Sequence, residues 1–104
     1  MTHDVDRLLR AEGLEPSGWA NGPHERYGAH EHAYDKVIAV ERGSIRFGLS
    51  GSPAGIELLE GDRLDLPAGT THDAVVGSDG VACLEAHVPA GTLAAPIRRS
   101  SGTW

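Results

Sequence analysis

The chain has a single cysteine, Cys83, so no disulfide can form within it, and only five aromatic residues, which points to a small core. Cys83 sits in the apolar stretch VACLEA, where a buried core thiol is expected. Long hydrophobic runs are missing too, and the opening MTHDVDRLL lacks the basic and apolar regions of a signal peptide, so neither a bilayer crossing nor export is expected and the cytoplasm is the expected location. Positive charge is scarce. Nine basic residues against fifteen acidic ones give a net charge of -6, and Arg98 with Arg99 is too little to grip a phosphate backbone, so a nucleic-acid partner is not expected.

Turn formers are plentiful instead. Fourteen glycines and six prolines in 104 residues indicate one compact, turn-rich β domain. Asp4 can cap a short helix running to about Glu12, with Val5, Leu8 and Leu9 as its apolar stripe and Gly13 as its stop. From Trp19 onward, short apolar runs alternate with turn chemistry, and strands are expected at residues 36–41, 45–49, 56–60, 63–66, 72–76 and 81–88. The breaks between them include Arg42-Gly43, Ser50-Gly51-Ser52-Pro53 and Ser78-Asp79-Gly80. The expected layout is a helix and lead-in at residues 1–15, an all-β sandwich or barrel at 16–90, and an irregular tail at 91–104 with Trp104 docked on a neighbouring surface.

Three histidines stand out. His30 and His32 are two apart in a stretch that reads as strand, which aims both side chains from one face. His72 follows a Pro67-Ala68-Gly69 turn and restarts a strand with its side chain directed inward. Together they suit a divalent transition metal, and imidazole donors do not distinguish iron, nickel, zinc, manganese, cobalt and copper. His3 and His24 are expected to face solvent. His87 shares a strand face with Glu85, but alternation does not say whether that face is inside. The same ambiguity covers Ile38, Val40, Phe47, Leu64, Leu66, Val75 and Leu84 as pocket walls.

The two histidine segments resemble the paired motifs of the cupin family. Gly61, Pro67, Gly69 and His72 match the second motif, G-x5-P-x-G-x2-H-x3-N, with Val76 at the asparagine position. His30, His32 and Gly43 match the first, G-x5-H-x-H-x3,4-E-x6-G, but His24 stands at its opening glycine and Lys36 at its glutamate. The resemblance implies a small single-domain cupin, a double-stranded β-helix or jelly-roll barrel, with metal-dependent dioxygenase, isomerase or decarboxylase chemistry as candidates and a tendency to dimerise. Function does not follow from fold alone. A non-enzymatic binding or sensing module and a metal-free isomerase or epimerase therefore stay open.

Lys36 is the departure with chemical consequences. Three neutral imidazoles and a carboxylate leave a divalent ion with a charge of about +1, and loss of the carboxylate raises that to about +2. The ammonium can lose its proton, pair with a carboxylate such as Glu85, or wait for an anion. The expected ligand is accordingly a small anion. Lys36 is a candidate catalytic residue that orients it, with Tyr34 adding a hydroxyl.

Overall fold

The computed structural model describes residues 4–50 and 52–104; His3, and Gly51 of the turn expected across residues 50–53, lie outside this set. Helix α1 (Val5–Ala11) starts where Asp4 accepts a hydrogen bond from Arg7 N at 3.0 Å and stops before Gly13, whose φ is 82°. Val5 and Leu9 are buried with Val37, Ala39 and Leu84, which fastens the helix to the outer face of the barrel. Among the described residues no helix is long and apolar enough to cross a membrane.

Among the described residues seven strands follow: β1 (Ser17–Asn21), β2 (Arg26–His30), β3 (Asp35–Leu49), β4 (Ser52–Leu58), β5 (Arg63–Leu66), β6 (His72–Val88) and β7 (Ile97–Arg99). All pairings are antiparallel. The long strands β3 and β6 organise them, since they pair from Asp35 opposite Val88 to Leu49 opposite His72. Their ladder shifts register between Val40 and Arg42 and again between Gly43 and Ile45, and such bulges bend paired strands. At this corner Gly43 has φ 78°, and a Cβ there would lie 2.1 Å from Gly80 O, so the two backbones can meet only at glycine. One side of the corner carries the ribbon β1-β6-β3-β5-β7, and the other adds β2 on β6 and β4 on β3.

Arg42-Gly43 and Ser78-Asp79-Gly80 are thus bulges inside continuous strands, not the strand breaks expected from their composition. Their glycines take positive φ while the chain stays paired. Each bulge also changes which residues face inward. The inner core takes Ile38 and Val40 before the corner of β3 but Ile45 and Phe47 after it, and Ala74 and Val76 but then Val81 and Cys83 along β6. Leu64 and Leu66 join this core, whereas Leu84 belongs to the outer cluster beneath α1. Cys83 is fully buried, and burial pushes its thiol up to about 12, so the core reading holds.

The tail differs from the irregular segment expected, because residues 97–99 add β7 to β5. Three charged residues at the start of β5 explain this. Asp62, Arg63 and Asp65 are buried and need partners; Arg63 bonds Asp65 and Glu12, and the tail serves the acids, with Arg98 Nη2 2.9 Å from Asp62 Oδ2 and Arg99 Nη2 3.0 Å from Asp65 Oδ2. Trp104 docks as expected. Its Nε1 donates to Gly61 O at 3.0 Å and the Arg63 guanidinium lies 5.1 Å from its ring centre.

Candidate metal centre

The corner closes one end of the barrel, and the strand termini gather at the other. There β2 ends at His30, β6 begins at His72, β3 begins just before Lys36, and β6 ends just after His87. His30 and His72 are direct partners across the β2–β6 ladder, with ring centres 4.3 Å apart. His32 arrives by another route than strand alternation. It lies in the loop between β2 and β3, beyond the end of the strand, with ring centres 4.9 Å from His30 and 5.3 Å from His72. One ligand atom from each of the three lies within 4.8 Å of the others. Two ligands on one ion span roughly 4.2 Å at most, at about 2.1 Å each, so only a small inward rotation separates this arrangement from a closed shell.

The tautomers suit a cation. His30 Nδ1 donates to Gly28 O at 2.7 Å and His72 Nδ1 donates to Thr70 O at 2.8 Å. A carbonyl only accepts, so each proton resides on Nδ1 and each Nε2 keeps a free lone pair. His32 Nε2 is buried with no hydrogen-bond partner among the described residues, which suits a metal-ligand atom. Burial, reinforced by Lys36 and by repulsion from His30 were both rings protonated, holds His32 below the ordinary imidazole value; burial, then the same effect of His30 and Lys36, does so at His72 against the opposing bond to Thr70. Both imidazoles are therefore neutral near pH 7, the form that binds metal.

Beneath the triad is a cavity of about 230 Å³. Trp19, Ile38, Ile45, Phe47 and Ala74 make its apolar walls, while Tyr27, Lys36, Glu85, His30 and His72 supply polar groups. Lys36 faces this space and not solvent, with its side chain 12% exposed and Nζ 3.6 Å from Glu85 Oε2. Of the three fates open to its ammonium, pairing with Glu85 is the one observed. The same Glu85 oxygen accepts from His87 Nε2 at 2.6 Å, and His87 sits half exposed at the rim. Tyr34 is stacked between His32 (5.0 Å between centres, 27°) and His87 (4.1 Å, 24°), which braces the loop carrying His32.

Trp19 and Tyr27 are cavity residues that the sequence does not mark, and Glu85, named there only as a partner for Lys36 with its direction left open, lines the cavity as well. Glu85 is inward only because the bulge at residues 77–80 resets the alternation that begins at His72. Nothing in the local sequence marks Trp19, which reaches the cavity from β1, a strand that was not anticipated. Val75, weighed as a wall, pairs with exposed Arg26 and Arg46 between two inward neighbours and so faces outward.

No family model matches the chain, and no curated protein matches it in sequence. Solved structures do match in fold. A DMSP lyase chain superposes with a TM-score of 0.67 at 28% identity, covering 85% of this chain and 44% of its own. A Bacillus subtilis oxalate decarboxylase described with Mn(II) centres gives a TM-score of 0.62 at 17% identity, over 94% of this chain and 26% of that one. A salicylate 1,2-dioxygenase variant from Pseudoaminobacter salicylatoxidans gives 0.62 at 20% identity, over 69% of this chain and 21% of that one. The protein is a small cupin-fold barrel with a cluster of three histidines at its open end. It spans less than half the length of each of these three chains.

Proposed function

We propose that the barrel binds one divalent transition metal through His30, His32 and His72 and holds a small anionic molecule in the cavity beside it. The observation that carries this reading is the convergence of three imidazoles, two with Nδ1 tied to backbone carbonyls and the third with a buried, unpartnered Nε2. A bound ion would supply Lewis-acid activation of an oxygen-bearing ligand at the coordination positions the protein leaves open. Lys36 contributes a fixed positive charge on the cavity wall, steadied by Glu85, and attracts carboxylates in preference to neutral molecules. The apolar walls exclude water from the remainder of the ligand. Tyr34 acts through His32 by holding its ring. Manganese is a reasonable occupant, since the oxalate decarboxylase neighbour has Mn(II) centres, and the decarboxylase and salicylate dioxygenase neighbours favour turnover of a small acid.

Metal analysis of protein purified without a histidine tag tests the reading. His30→Ala and His72→Ala should each lower metal affinity more than tenfold while the barrel stays folded, and undiminished metal in both would refute it. We further read the protein as a cytoplasmic homodimer. Among the described residues β1, β2, β4 and β7 each pair on one side only, and a second copy can cover such edges. Light scattering at micromolar concentration should give twice the chain mass of 11.0 kDa, and a monomeric mass removes the dimer.

A further inference from the structure

We propose that the cavity is built for a 2-hydroxy carboxylate, with Glu85 accepting the ligand's hydroxyl. The inference rests on the anion-binding reading above and narrows it to a substrate class. Glu85 lies on β6 opposite Ile38 of β3, with its side chain 17% exposed and forming part of the cavity wall. A carboxylate so withdrawn from water needs compensating contacts, and here both fall on one oxygen: Oε2 faces Lys36 Nζ at 3.6 Å and His87 Nε2 at 2.6 Å. Among the described residues no hydrogen bond reaches Oε1. One wall of the cavity therefore presents a cation and, next to it, a strong acceptor with a free oxygen.

That pairing sets the ligand's chemistry. The ligand's carboxylate goes to Lys36, and because the ammonium and the Glu85 carboxylate are only 3.6 Å apart, a donor on the carbon adjoining that carboxylate is placed to reach Glu85. A neutral hydroxyl fits better than an ammonium. With a divalent ion in place, Lys36 and the metal together outweigh Glu85 by about two positive charges, and a ligand ammonium would enter against that field. Trp19 lines the same cavity, and its Nε1 is buried without a partner among the described residues. Ile38, Ile45 and Phe47 receive the hydrocarbon part, which must be small, because about 230 Å³ falls below the roughly 300–1,000 Å³ of sites for drug-sized ligands.

Mandelate and phenylacetate differ by one 2-hydroxyl, and calorimetric titration of each into metal-loaded protein tests the proposal. Wild-type protein should bind mandelate about tenfold more tightly, the low end for a charge-assisted hydrogen bond. In Glu85→Leu the ratio should fall to about one, and in the volume-conserving Glu85→Gln it should fall severalfold, with metal content unchanged in the same samples. Equal affinity in the wild type overturns the proposal. So does a mandelate preference that persists in both variants, since the hydroxyl would then be held elsewhere, on the ion first of all. Failure of the parent reading looks different: protein that takes up no metal, or binds neither acid, overturns both.

Discussion

His24 adopts φ 63°, the one positive value among non-glycine residues described, and it stands where the first cupin motif has glycine. The left-handed conformation costs a side-chain-bearing residue about 1–2 kcal/mol, against the roughly 0.5–1 kcal/mol of extra entropy that a glycine loses on folding. His24→Gly should therefore raise stability by about 0.5–1 kcal/mol, read from the urea midpoint at unchanged slope. Asp35 is a second residue with a local task. It is buried, and its carboxylate accepts from Ala68 N at 2.7 Å and from Leu93 N at 2.6 Å, bonds that hold its ionisation below the usual carboxylate range. Its stabilising contribution is thus complete above the unfolded-state value and is lost as pH falls through the depressed one. Asp35→Asn can keep only one of the two bonds through its carbonyl oxygen. The variant should melt lower at neutral pH, and the gap from wild type should shrink on acidification; a constant gap from neutral pH into the acid range would contradict this.

At the level of elements, α1 was readable because every signal agreed: a capping aspartate, an apolar stripe and a terminal glycine. Its value lies in covering β3. Leu9 is fully buried against Val37 and Ala39, so Leu9→Ala should cost about 2–5 kcal/mol in chemical denaturation, with the metal site intact if the protein stays folded. The strands were readable as segments and not as faces. Alternation needs an unbroken count, and two bulges in β3 with a further irregularity in β6 restart it, which is why the inward direction of Glu85 could not be read beforehand. The convergence of His30 and His72 was foreseeable from motif spacing. That of His32 was foreseen for the wrong reason, because a loop braced by Tyr34, and not a strand, turns its ring to the others.

For the whole molecule, the cupin motifs carried the fold, because their glycines and prolines mark the turns that bring distant strands together, while the tail's role stayed hidden. A charged run such as RRSS reads as solvated, and only the buried acids of β5 reveal why it pairs. The sharing of β3 and β6 between both sides of the barrel has one more consequence. Since the same two strands run through the corner into both halves, the halves cannot part without tearing a ladder that extends from Asp35 to Leu49. Breathing of the cavity then falls to the segment at residues 31–34, the part of the mouth outside any strand that carries both a proposed ligand and its aromatic brace. Amide protons there should exchange with solvent quickly and slow down when the ring of His32 is captured, while those of Val37 to Val40 wait for global unfolding.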